Sequence, residues 1–212
     1  MPTTYHSLIG HPAPTITLPD HNGETYSLVP GQNSMPVALF FYPKSGSFGC
    51  TKEACQFRDA IAEKDTFKPG KVLIVGVSPD PVDKQRLFVE KQKLTYPVLS
   101  DESGAARAAY GVGRGLLGLL DVARVTFVID GKGILRDVLD TTMNYGGHSK
   151  FVARWLDRLE GEIVDAPDRA GVPTVNGEAS SDVDEKSVPK LDSLVVATVD
   201  EEPPAAPALA VG

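Results

Sequence analysis

Val37-Ala38-Leu39-Phe40-Phe41-Tyr42-Pro43-Lys44-Ser45-Gly46-Ser47-Phe48-Gly49-Cys50-Thr51-Lys52-Glu53-Ala54-Cys55 decides how this chain folds. The apolar run from Val37 to Tyr42 shows no alternation, as expected of a strand buried on both faces of an α/β sheet. It stops at Pro43. A short Gly/Ser loop follows, and then a helix that places Ala54, Phe57 and Ile61 on one face. Cys50 stands at the mouth of that helix. A thiol there faces unpaired backbone N–H groups and the positive end of the helix dipole, which favours its thiolate.

On either side of this unit the pattern alternates strand with helix. Thr15–Leu18 and Tyr26–Leu28 flank the turn cluster Asp20-His21-Asn22-Gly23 and read as an N-terminal β-hairpin. Val72–Val77 reads as a second buried strand. Asp80 is expected to N-cap a helix that has Pro81 in its first turn and runs to about Lys93, with Val82, Leu87 and Val89 or Glu90 near its packing face. Pro97–Leu99 reads as a short strand and Gly104–Tyr110 as a short helix. Arg124–Ile129 and Ile134–Leu139 form a hairpin across Asp130-Gly131-Lys132-Gly133. Ser149–Leu159 closes the series as a helix, with Phe151, Val152, Trp155, Leu156 and Leu159 in one stripe. This order is that of a thioredoxin-like three-layer α/β sandwich.

The chain has 212 residues and a net charge of −7. Its acidic excess lies beyond Gly161, which leaves residues 1–160 close to neutral. The expected organisation is a single domain over 1–160 and an acidic, Pro-rich, disordered tail over 161–212. A near-neutral body without a Lys/Arg cluster argues against nucleic acid as a partner. No run approaches a membrane-spanning length, and the first residues have neither the charged nor the apolar region of a signal peptide. Two cysteines five apart would close too small a loop to stabilise much, so a redox-cycling pair in a reducing compartment is expected. Cytoplasm is the expected location, with the nucleus also open.

Pro43, Ser47 and Cys50 fill the signature of the peroxiredoxins: Pro, then Thr or Ser four residues on, then Cys three further. The chain resembles that family. The second cysteine, Cys55, narrows the resemblance to the bacterioferritin-comigratory or Q subfamily. It extends over roughly residues 8 to 160, through Gly10-His11-Pro12-Ala13-Pro14, Phe57-Arg58-Asp59, Tyr96-Pro97-Val98-Leu99-Ser100-Asp101 and Arg124-Val125-Thr126-Phe127-Val128-Ile129-Asp130. Two positions depart from the usual pattern: Ser47 where Thr is commoner, and Ser-Phe-Gly-Cys where Thr-Pro-Gly-Cys is commoner.

The resemblance implies a thiol peroxidase with Cys50 as peroxidatic cysteine. Cys55 would resolve its sulfenic acid as an intramolecular disulfide, and thioredoxin or glutaredoxin would then reduce that bond. Hydrogen peroxide and organic hydroperoxides are the implied substrates, no cofactor is implied, and a monomer is expected. Helix termini typically contribute about 0.3–1 kcal/mol to a neighbouring charge, too little to ionise a thiol near neutral pH, so a cation is required. The family's active-site arginine matches Arg124. Donors aimed at the peroxide oxygens would come from the Cys50 N–H, the Ser47 hydroxyl and Arg124, with Pro43 walling off water.

Geometry adds a constraint of its own. Five residues apart on an intact helix, two Cα atoms lie roughly 8.6 Å apart on different faces. A disulfide tolerates at most about 7 Å, so bonding Cys50 to Cys55 requires unwinding.

Plainer readings stand beside these. Cys55 as a small core residue would give a one-cysteine peroxidase. Arg124 as a strand-edge charge and Ser47 as a loop residue would carry no chemistry. A thiol-based redox sensor that relays oxidation to a partner is the alternative from another class. Zinc held by the cysteines with His11, His21 or His148 lacks a paired-ligand spacing. Gly111 to Leu120 precedes a strand, so it is no phosphate loop, and Leu116, Leu117, Leu119 and Leu120 suggest an exposed docking patch or lid.

Overall fold

The structure is a computed structural model that describes residues 4–115 and 118–164. Strands β1 (Ile16–Pro19) and β2 (Thr25–Leu28) pair as an antiparallel hairpin, Ile16 opposite Leu28. Asp20 shapes the turn by accepting hydrogen bonds from the backbone N–H groups of Asn22 and Glu24 at 2.8 and 3.0 Å. The main sheet contains β3 (Val37–Phe41), β4 (Leu73–Ser78), β5 (Val98–Ser100), β6 (Val125–Ile129) and β7 (Leu135–Asp140) in the order β5-β4-β3-β6-β7. The β3–β4 and β4–β5 pairs are parallel, whereas β6 runs antiparallel to both β3 and β7.

Every residue of β3 is buried, as its unbroken apolar run requires. Ala38 and Phe40 face a core shared with α1 (Phe48–Glu63), α2 (Val82–Gln92) and α4 (Tyr145–Val164). Val37, Leu39 and Phe41 face the other core, with the β1–β2 hairpin, Tyr5 and Ala106 of α3 (Ala105–Ala109). Sheet between two side-chain layers is the expected three-layer arrangement.

Three expectations are corrected. Asp80 does not cap α2: Pro81 holds the N-cap position and no side chain caps this end. The Asp80 carboxylate turns back to the loop before α1, where it accepts the Ser45 N–H at 2.5 Å and the Ser78 hydroxyl at 3.1 Å and pairs with Lys84. The packing face of α2 is Gln85, Phe88 and Val89, with Leu87 exposed; Gln85 Nε2 donates to the Leu99 carbonyl at 2.8 Å, which offsets part of the cost of burying the amide. Finally, α4 starts at Tyr145 instead of Ser149 and continues to Val164. Near its C-terminal end Glu162 pairs with Arg136. The remaining tail, 165–212, lies outside the described residues, as do Leu116 and Leu117 of the leucine patch. Leu119 is exposed, and Gly115 bridges to Leu120.

Candidate active site

Strand β3 ends at the centre of the sheet and delivers the chain into the loop Pro43–Ser47. Asp80 ties that loop down at the Ser45 amide. Burial raises the Asp80 carboxyl, but hydrogen bonds from Lys84 and Ser45 outweigh it and hold the group below its usual range. Gly46 takes φ +80°, a left-handed turn that a side chain would strain. Ser47 then occupies the N-cap of α1, and its carbonyl accepts the Thr51 N–H at 2.9 Å. Its hydroxyl donates to the Lys44 carbonyl at 3.0 Å. A donor role toward peroxide therefore requires that bond to be exchanged. Pro43 is half-buried within the same loop.

Cys50 lies in the first turn of α1 and is buried, at 1% exposure. Arg124, at the foot of β6, brings its Nη2 to 3.2 Å from Cys50 Sγ. The guanidinium is fixed on three further sides. Nη1 pairs with Glu53, Nε donates to the Thr142 carbonyl at 3.2 Å, and the Tyr145 ring stacks 5.1 Å from Cζ. At about 4 Å and the effective dielectric of a protein surface, a unit charge pair is worth about 4 kcal/mol, several times the contribution of a helix terminus. The cation thus dominates the electrostatics of the thiol. Gly49 allows this packing, since a Cβ there would run into the Tyr145 ring.

Glu53 and His148 were not legible as part of the site. Glu53 is fully buried, and burial pushes its carboxyl up to about 7 even against the opposing pull of Arg124. His148 is buried beside it, and burial pushes the imidazole down to about 4 against the Thr141 carbonyl that accepts its Nε2 hydrogen at 3.0 Å.

Cys50 and Cys55 are both free thiols on one unbroken helix. Cys55 points elsewhere, half-exposed, with Sγ 3.6 Å from Gln92 Oε1, in a groove it shares with Phe48, Thr51, Lys52 and Lys91. The intervening turn is held more firmly than its small side chains suggest. The Tyr96 hydroxyl donates to the Ala54 carbonyl at 2.9 Å, and Glu53 is committed to Arg124. Breaking a buried pair by removing one partner costs about 3–5 kcal/mol, so unwinding here costs more than a few backbone hydrogen bonds alone.

The model of the AhpC/TSA family matches residues 9–138, which include this loop, both cysteines and Arg124. The chain belongs to that family. It is 44% identical to a Mycobacterium tuberculosis (strain H37Rv) protein carrying a peroxiredoxin name, over 133 residues that span 62% of this chain and 84% of the relative. It is 38% identical to the chloroplastic peroxiredoxin Q of Populus jackii over 150 residues, 71% of this chain and 68% of the relative. Among solved structures, Peroxidoxin BcpB from Mycobacterium tuberculosis superposes with a TM-score of 0.61 at 39% identity, covering 71% of this chain and 97% of that one. This peroxiredoxin is accordingly a thiol peroxidase: an oxidoreductase acting on peroxides at the expense of a thiol reductant.

Proposed function

We propose that Cys50 is the peroxidatic cysteine and Cys55 the resolving one, in a cycle recharged by thioredoxin. The contact that carries this reading is Arg124 Nη2 at 3.2 Å from Cys50 Sγ. The Cys50 thiolate attacks the terminal oxygen of ROOH, the O–O bond breaks, and Cys50 becomes a sulfenic acid as RO⁻ leaves and takes up a proton. Arg124 stabilises both the thiolate and the charge passing to the leaving oxygen. Cys55 then attacks the sulfenic sulfur and expels water, which leaves a Cys50–Cys55 disulfide. A dithiol of the thioredoxin or glutaredoxin class reduces it and is itself oxidised.

Hydrogen peroxide and small organic hydroperoxides are the substrates in this proposal, and a reducing compartment, the cytoplasm, is its setting. The half-exposed position of Cys55 supports its role, because a resolving thiol must be free to move and to meet a reductant. A steady-state assay coupling NADPH, thioredoxin reductase and thioredoxin to peroxide tests the cycle. Cys50→Ser is expected to abolish NADPH oxidation, and Cys55→Ser to stop cycling while sparing the first oxidation. A Cys55→Ser protein that turns over with thioredoxin at the unmodified rate would remove Cys55 from the cycle.

A further inference from the structure

Glu53 and His148 meet inside the protein, and neither has a part in the cycle just given. Glu53 lies on α1 three residues beyond Cys50, His148 on α4, and both side chains have no exposure. His148 Nε2 is 3.0 Å from the Thr141 carbonyl oxygen, which can only accept. In the neutral ring that nitrogen therefore carries the hydrogen, and Nδ1 is left with a lone pair. Nδ1 faces Glu53 Oε1 at 3.4 Å. That oxygen receives no hydrogen bond among the described residues, while the other carboxylate oxygen is taken by Arg124. The Thr126 hydroxyl at 2.8 Å can donate to Nδ1, but Glu53 Oε1 then faces a lone pair with no donor of its own, and a proton on the carboxyl directed at Nδ1 supplies one.

We propose that Glu53 and His148 share a single buried proton, and that this proton sets how much of the Arg124 charge is left for Cys50. With the proton in place the Glu53–His148 pair is neutral, and the guanidinium is balanced by the Cys50 thiolate alone. Without it, two anions compete for one cation, which opposes the thiolate. The groups facing this pair are few. Cys50 comes from α1, Arg124 and the Thr126 hydroxyl from the β6 segment, Tyr96 from the segment before β5, and Asp140 from the end of β7. The Thr126 hydroxyl, 2.8 Å from Nδ1, donates to it when the carboxyl is ionised and rotates away when the carboxyl holds the proton. Glu53 and His148 are thus positioning residues that act through Arg124.

The proposal rests on Cys50 being the reacting thiol. That premise fails separately, if Cys50→Ser still consumes peroxide. Glu53→Gln is the direct test, because its amide carbonyl can accept from Arg124 and its NH₂ can donate to His148 Nδ1, a permanent copy of the protonated acid. Stopped-flow oxidation by hydrogen peroxide is compared for wild type and Glu53→Gln from about pH 5.5 to about pH 8.5. The ratio of variant to wild-type rate is expected to climb roughly tenfold across that range, since only the wild type loses the proton. Effects of pH that do not pass through Glu53 are shared by the two proteins and drop out of the ratio. A ratio independent of pH overturns the proposal. Infrared spectroscopy of the wild type supplies a second readout, independent of the variant's folding. A protonated-carboxyl C=O band should be present in mildly acidic solution, vanish in alkali and move to higher frequency in His148→Leu, which lacks the acceptor. A wild type without that band, or a band unmoved by His148→Leu, overturns it equally.

Discussion

Arg124 reaches Cys50 from across the sheet, Nη2 to Sγ at 3.2 Å, while the Tyr145 ring and the Thr142 carbonyl keep the guanidinium from turning away. The thiol and its cation are 74 residues apart in sequence. They meet because β6 lies beside β3 in the sheet, so the start of one strand adjoins the end of the other. Removing the guanidinium costs both thiolate and transition-state stabilisation. Arg124→Ala is expected to slow the first oxidation by peroxide about 10²–10³-fold, read by stopped-flow fluorescence or competition kinetics. A rate within a factor of about two of wild type would place the required cation elsewhere.

Gly49 leaves room for Tyr145 against the first turn of α1. In Gly49→Ala the new methyl displaces that ring and loosens its stack on Arg124. We expect a loss of about 1–3 kcal/mol in denaturant unfolding, together with a slower first oxidation. The double variant Gly49→Ala/Tyr145→Ala should recover stability, since the clash is gone, but not rate, since the stack is gone too.

Asp80 anchors the loop through the Ser45 amide, and its depressed carboxyl fixes the sign of a pH effect. The folded protein holds this group ionised at a pH where the unfolded chain begins to protonate it. Its contribution is therefore complete above the ordinary carboxylate range and is lost as pH falls through the lower folded value. Asp80→Ala leaves the Ser45 N–H unpaired and should destabilise by about 1–3 kcal/mol near neutrality, a value discounted for partial exposure and the screened Lys84 pair. In chemical denaturation the gap between variant and wild type should narrow below about pH 4. A gap that widened on acidification would contradict the assignment.

Resolution by Cys55 has a dynamic signature. On oxidation the amides of residues 51–56 should exchange hydrogen faster, because α1 must open there to bring the two sulfurs together. The Glu53–Arg124 pair adds to the cost of that opening, so in reduced protein these amides should be well protected. Equal protection in both redox states would assign resolution to another thiol.

The fold was largely legible, because strand burial and helical spacing are local properties of the chain. Val37–Tyr42 and the stripe Phe151, Val152, Leu156 and Leu159 left little choice about which faces pack. What stayed hidden depended on non-local partners. Leu87 outweighs Gln85 in any count of apolar residues, yet Gln85 is buried, its amide nitrogen donating to backbone carbonyls of two other segments. The start of α4 was concealed by Gly146-Gly147, a poor helix sequence in isolation that Tyr145 packing against Gly49 helps to hold. Cys50, Cys55, Ser47 and Pro43 form one contiguous signature and could be read directly. Glu53 stands four residues before Phe57, on the packing face of α1, where a carboxylate has no partner from its own helix. Only the arrival of Arg124 and His148 from two other elements shows why it is inside.

Which sulfur meets the peroxide decides the whole cycle. Reduced protein mixed with one equivalent of hydrogen peroxide in the presence of a sulfenic-acid trap, and then digested and weighed by mass spectrometry, answers that directly. In Cys55→Ser, stoichiometric trapping is expected on the peptide that carries Cys50, at the rate of wild-type oxidation. A trap on Cys55 in Cys50→Ser, formed as fast as in wild type, would contradict it.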